Sequence, residues 1–500
     1  MTAVPRHGRG QPGDDGRGIR RLPVIAAVVV VLVGVGLIAA AVGTPSATGP
    51  AGPSAAVAAA APVDAQSSTW FCTGGSGTST GVANATLSLV NTGSRPVDGT
   101  VTVADTAAST ASQAVVVPAR GQLTVVPSTI EQGPWLASRV ELDGGGVTVN
   151  EIVSGSAGWA QSACSTTTSS TWFFASGSTT DGNTLYVSLF NPTATAAVVD
   201  LGFVTSQGLT EPQPFEGILV NPGRLVVAGV ASFVQDQKSI GTIVMARSGR
   251  VVAEELQEHV VNGVSGLSLR LGAPSPAGRW YVPRTVDVTG GSSALTVLNP
   301  TDRPEQVTVH VQLGSGPVAP FTDSLPADSS WTLPVSSASR VPTNTTYAVE
   351  VTATGGPGVV VDRTVQSSSA GAVPQWGTVT AVSDAAAAAP SGRWIVPSPL
   401  VATTPPVAGI GPLALNLQNT GNRDVIVTIY QSTPQGLRRL AGVSKLRIPP
   451  GVFTVIEQDV LAQAGSDALV LEADGPLAAM EEGVPAGVPG AVALAAIPQT

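Results

Sequence analysis

Histidines and recurring carboxylates are the residues of this 500-residue chain with the chemistry for acid–base or metal work, and they are thinly placed. The three His are His7, His259 and His310, each far from the others. A lone His makes no metal site, because a metal centre needs several ligands converging on one point. A G-x-S-x-G string runs Gly77-Thr78-Ser79-Thr80-Gly81. A nucleophile elbow sets that string between a buried strand and a helix; here it stands in a Gly/Ser/Thr run with no helical pattern after it. No phosphate loop, HExxH or EF-hand pattern is written in the chain. One acid does recur, at the end of each of four hairpin patterns: Glu151, Glu255 (beside Glu254), Asp362 and Glu481 (beside Glu482). Paired carboxylates can hydrolyse a glycosidic bond. A site used once has no reason to be written four times, so these acids suit a structural role, bonded to a turn N–H or to an Arg, or else a solvated strand end. Arg120, Arg224 and Arg363 are the candidate partners in the first three copies. No catalytic, cofactor-binding or metal-ligating residue is assigned, and no cofactor is implied.

The elements that carry these acids are themselves repeated. Trp70, Trp172, Trp280 and Trp394 stand in STWFC, STWFF, GRWYV and GRWIV, at steps of 102, 108 and 114 residues. After each Trp an apolar alternation ends at an Asn: Asn91, Asn191, Asn299 and Asn419. An Asn side chain can bond the backbone two residues on and tolerates positive φ, so each marks a turn. Another alternating strand, a Pro-led turn and a closing hairpin follow in every copy. Six or seven short alternating strands in about 105 residues describe an antiparallel sandwich, and a period of that length suits tandem domains. The recurring Trp are expected in the cores. Trp135, Trp159, Trp331 and Trp376 do not recur and are the candidates for exposed aromatic contacts.

Composition agrees with an all-β chain. Charged residues make up 11%, with 57 Gly and 40 Pro punctuating Val- and Thr-rich strands. Lys occurs only at Lys238 and Lys445. Residues 22–42 run without a charge, long enough to cross a bilayer as a helix. The five Arg and two Asp before them place the N-terminus inside. A cleaved signal peptide is the alternative, with small residues at Ala39-Ala40-Ala41, although its apolar stretch is usually shorter. The tail contributes +3 to a chain of net charge −9, which leaves −12 outside. That charge disfavours nucleic acid as a partner.

The order W-[FY]-x, an Asn turn, VPARGQLTVV and a closing V-V-A-E resembles a family of exported, repeat-bearing actinobacterial proteins known as domain of unknown function 5719. The likeness covers about residues 65–500, and the fourth copy, with GIGPLALNLQNTG and AAMEEG, departs from it. It implies a β-rich envelope ectodomain and supplies no catalytic residues. Cys72 and Cys164 bracket the first copy and are expected to pair in an oxidising exterior.

These observations give an all-β fold: four tandem antiparallel, immunoglobulin-like β-sandwich domains after one N-terminal transmembrane helix. The expected segments are a cytoplasmic tail (1–21), the membrane helix (22–42), a disordered Ala/Pro/Gly linker (43–66), and sandwiches over 67–165, 166–273, 274–383 and 384–500. The expected function is a single-pass, membrane-anchored, non-enzymatic envelope scaffold or protein-interaction ectodomain. The alternatives are a cell-wall glycan-binding protein and a carboxylate-dependent hydrolase. The membrane and an envelope protein or glycan are the expected partners.

Overall fold

The structure, a computed structural model, describes residues 58–78, 81–286, 291–367, 375–397, 410–443, 445–465, 467–485, 489 and 492–500. The tail, the apolar stretch 22–42 and the linker up to residue 57 lie outside the described residues. Among the described residues no helix is long and apolar enough to cross a membrane. The chain is nearly all β, in antiparallel sheets, with one short parallel contact at Ser265–Gln375 and isolated parallel bridges.

Each repeat begins with a Trp strand: Ser68–Gly75, Thr171–Phe174, Arg279–Val286 and Arg393–Val396. This strand pairs with a central strand, Leu136–Leu142, Gly241–Ser248, Thr346–Thr354 or Leu469–Ala473, in the first sheet of its unit. The facing sheet is built on the Asn strand (Asn84–Asn91, Asn183–Phe190, Gly291–Asn299, Ile410–Asn419), which pairs with the acid strand (Val147–Gly155, Val252–Val261, Val360–Ser367, Leu477–Pro485). A terminal strand completes that sheet: Gly158–Ala163, Val264–Leu271, Gln375–Thr380 or Val492–Ala495. Period-two alternation sends one face of every strand inward. Trp70, Trp172, Trp280 and Trp394 accordingly lie in four cores between paired sheets.

After its terminal strand the chain crosses to the other sheet and pairs with its own Trp strand. The contacts are Ser165 to Phe71, Ala273 to Phe173, Val382 to Tyr281 and Ile497 to Ile395. Each unit is thereby tied shut by its own last residues. The units are nevertheless not independent beads. The second and third share one eight-stranded sheet through Val264–Leu271 and Gln375–Thr380, so the sheet runs across the expected boundary at 273/274. Gly266 permits this approach, since a Cβ there would fall 2.1 Å from the Trp376 carbonyl oxygen.

The two ends of the repeat array also meet. Ala60 donates its N–H to the Pro498 carbonyl and accepts from Thr500 N, both at 2.9 Å. Ile395 and Ile497 of the fourth unit join the core of the first. Residues 58–66, expected in the disordered linker, therefore begin inside the fold. Ala60 is fully buried because the last strand needs an edge partner.

Candidate functional site

The joints between units are where the repeated polar residues converge. Because side chains alternate along a strand, the residue after each Trp points away from its own core. Phe71 packs against the second unit, Phe173 enters the third, Tyr281 the fourth, and Ile395 returns to the first. One short motif thus fills two cores, and four copies of it close a circuit.

The residue three beyond each Trp sets the polarity of the joint. At Thr73 and Ala175 it carries a backbone N–H, and the next unit presents a carboxylate. Thr73 N donates to Glu254 Oε2 at 2.7 Å, and Ala175 N to Asp362 Oδ2 at 3.0 Å. In the other two repeats the same place is Pro283 or Pro397, which has no N–H. The next units there present Met480, which packs with Tyr281, and the neutral Asn150. These four residues share a register: Asn150, Glu254, Asp362 and Met480 pair with Ser88, Ser188, Thr296 and Asn416, each three before its turn Asn.

A second register position, opposite Leu87, Val187, Leu295 and Leu415, holds Glu151, Glu255, Arg363 and Glu481. The sequence grouping of Glu151, Glu255, Asp362 and Glu481 therefore mixes two positions, and Asp362 stands one residue out of line. The expected Arg partners are also revised. Arg270 bridges Glu255 and Asp362, with side chains 2% exposed for the Arg and 0% for both acids. Arg363 pairs with Glu482 and donates to the Arg284 carbonyl at 2.6 Å. Arg224 donates to the Ala108 carbonyl instead of an acid, and no bond joins Arg120 to a repeated acid among the described residues.

Among the described residues, two joints hold carboxyls without a cation. Glu151 accepts from Gly74 N at 2.9 Å and hydrogen-bonds Glu254. Burial raises Glu151 to about 7, and burial with repulsion from Glu151 raises Glu254 well above the usual range. Glu481 faces Leu494, where its counterpart Glu255 faces Arg270, and burial raises it to about 8. At Gly74 a Cβ would come within 2.1 Å of a Leu269 methyl of the second unit, so a side chain there would require Leu269 to shift.

Cys72 and Cys164 form a disulfide at the crossover that ties the first unit shut. The equivalent pairs are Phe174 with Gly272, Val282 with Ala381, and Val396 with Ala496, a large residue against a small one. Opening the disulfide removes a cross-link over 92 residues. We expect reduction to lower unfolding free energy by about 2–4 kcal/mol, read from urea midpoints with and without reductant. Replacing the pair as C72V/C164A, the arrangement of the third and fourth units, should cost less than C72S/C164S, which buries two hydroxyls.

Each turn Asn makes the same bonds. Asn91, Asn191, Asn299 and Asn419 accept on Oδ1 from the N–H two residues on, at 2.8, 2.9, 3.1 and 2.8 Å. Their Nδ2 groups donate to the carbonyls of Arg95, Thr195, Arg303 and Arg423. None of the four has a positive φ, so side-chain bonding and not the left-handed region selects Asn here. An Asn191→Ala protein leaves buried carbonyls and an N–H unpaired, and should unfold about 1–3 kcal/mol more readily in urea titration.

The non-recurring Trp do not form an exposed face. Trp159 and Trp376 are buried, while Trp135 packs at a tilt against Tyr186, ring centroids 4.9 Å apart, and Trp331 packs against the third core. Ser79 and Thr80 of the G-x-S-x-G string lie outside the described residues. His310 is exposed on its strand, and His259 stacks on Trp376 at 4.8 Å. Among the described residues no three His, Cys, Asp or Glu are grouped to hold a metal. Terminal strands of all four units line a cavity of about 170 Å³, whose wall includes Ala163, Ala273, Ala381 and Ala495.

The acid strand of the first unit, the whole second unit and the first strands of the third form one stretch, and it is this stretch that is matched elsewhere. Residues 145–320 match a family of unknown function, DUF5719. The match begins and ends inside units, so it spans the joints on both sides of the second. Among solved structures, Thermotoga maritima 1070 is 14% identical, with 22% of this chain and 95% of that chain covered at a TM-score of 0.20. The Anabaena sensory rhodopsin transducer is 16% identical, with 18% and 95% covered at 0.16. A tetra-tandem repeat from the extending region of a large adhesion protein is 15% identical, with 83% and 96% covered at 0.10. No curated protein matches the chain.

Proposed function

We propose that this protein is a membrane-anchored, extracytoplasmic, non-enzymatic scaffold, in which four immunoglobulin-like β-sandwich units form one platform for protein interactions in the cell envelope. The observation that carries this reading is the use made of the repeated acids. Glu254 and Asp362 bond backbone N–H groups of the preceding unit, and Glu255 bonds Arg270. Glu151 and Glu254, which hydrogen-bond each other, are 1% and 0% exposed, out of reach of a substrate. Hydrolysis by these carboxylates would need access that the joints deny. The uncharged stretch 22–42 with its upstream Arg residues supports the anchor and the orientation. The exported part, at −12, is suited to partners that are not polyanions.

Two measurements test the proposal. Alkaline extraction of membranes should leave the full chain in the pellet, and protease added outside intact cells should reach residues 43–57. Crosslinking in cells followed by capture from envelope membranes should return the same neighbours repeatedly. A protein found in the soluble fraction, or one that crosslinks to nothing above background, would sink it.

A further inference from the structure

The second and third units leave between them a cleft of about 290 Å³, close to the lower limit of small-molecule pockets at about 300 Å³. The equivalent place between the first and second units is filled. There Trp135, five residues before the partner of Trp70, packs at a tilt against Tyr186, five before its turn Asn. Counting the same way from Trp172 and from Asn299 gives Ser239 and Ala294, and both line the cleft. Two large aromatic residues at one joint are thus a hydroxyl and a methyl at the next. Stability alone favours filling such a space, because close-packed atoms gain contact that a void forfeits.

The walls are organised for hydrogen bonding without charge. Asn183 Oδ1 accepts from Gln257 Nε2 at 3.2 Å, and it lies 2.8 Å from His259 Nδ1, which must then be the donor. That bond leaves Nε2 of the neutral imidazole as an acceptor. Burial lowers the His259 pKa, which keeps the ring neutral at pH 7. Cross-strand hydroxyl pairs, Thr296 with Thr332 and Thr364 with Thr378, supply further groups that donate and accept. The stacked rings of His259 and Trp376 give one flat apolar wall. Among the described residues Lys238, at the rim, is the one lining residue with a fixed charge, and no carboxylate lines the cleft. Hydroxyls and amides that both donate and accept, set beside a flat ring, match the chemistry of a sugar: alternating hydroxyls and an apolar C–H face.

We propose that this cleft binds a short neutral glycan of one or two sugar rings. The inference goes beyond the scaffold reading, which stands or falls separately by membrane extraction and crosslinking.

The test is calorimetric titration of the full chain in nanodiscs with maltose and with N,N′-diacetylchitobiose. One of the two is expected to bind saturably, one per chain, in the millimolar range or tighter. Plugging the cleft as S239W/A294Y copies the aromatic pair of the first joint and is expected to weaken binding at least tenfold without lowering the thermal midpoint. If the plugged protein does not fold, Asn183→Ala carries the test, since it frees the His259 ring and should also weaken binding at least tenfold. Absence of binding by either disaccharide to the unmodified protein overturns the proposal. So does a plugged protein, or an Asn183→Ala protein, that binds as the unmodified one does.

Discussion

Replacing Arg270 by Met should be among the most damaging single changes in the chain, lowering unfolding free energy by about 3–5 kcal/mol. The substitution keeps the length and apolar stem of the side chain, so little packing is lost. What it removes is the cation between Glu255 and Asp362, two carboxylates with no exposure. Asp362 would keep its bonds from Ala175 N, Ser176 N and Ser176 Oγ, all within 3.1 Å. Among the described residues Glu255 would keep only the Thr242 hydroxyl at 3.0 Å. A buried carboxylate left without its partner is costly, whereas neutralising all members of such a network often is not. The triple change R270M/E255Q/D362N is therefore expected to recover more than half of the loss, because Asn at 362 still offers an oxygen to the two backbone N–H groups. Urea unfolding of the three proteins decides the matter. An Arg270→Met protein as stable as the parent would show that the joint between the second and third units does not depend on this ion network.

The four-fold plan of the chain was legible because it is written in residues with one structural use each. Trp at the strand start, Asn at the turn and alternation between them fix which face is buried and where the chain reverses. The joints were harder to see, although their signal was present. The Trp-x-x-Pro of the third and fourth repeats, against Trp-x-x-Thr and Trp-x-x-Ala in the first two, announces which strands can donate an N–H. Read with that in mind, Glu254 and Asp362 fall into one column and Met480 and Asn150 into the same column. Grouping acids by type instead of by register put Asp362 with Glu151, and it sent the search for cations to Arg120, Arg224 and Arg363. Arg270 was missed because it stands on the terminal strand, whose place beside Glu255 depends on strand pairing across 15 residues and whose bond to Asp362 depends on contact between units. The large–small pairing that replaces the disulfide in three units was hidden for the same reason: its two members are about 100 residues apart. Periodicity reports what faces the core of one unit, but not which unit lies beyond the other face.

A pH titration should separate the joints that hold cations from those that do not. Glu481 is raised to about 8 by burial, and Glu151 to about 7, while Glu254 stands well above its usual range. In the unfolded chain all three titrate near the ordinary carboxylate value of 4.5. Between pH 4.5 and the raised values the folded protein holds more protons than the unfolded chain, so stability falls as pH rises through this window. For Glu481 alone the loss is of order 3–5 kcal/mol between pH 4.5 and pH 8, taking 1.36 kcal/mol for each pH unit over which one proton is retained. Glutamine copies the protonated acid, so Glu481→Gln should match the parent near pH 5, exceed it at pH 8.5, and flatten the dependence between. Glu254→Gln should do the same at the first joint, where the amide can still donate to Glu151. Urea midpoints measured every half unit from pH 5 to 9 give the slopes directly. A parent protein whose stability climbs over that range, or a Glu481→Gln protein with an undiminished slope, would mean that Glu481 meets solvent or a counter-charge, and that the joint it serves is not sealed by apolar packing.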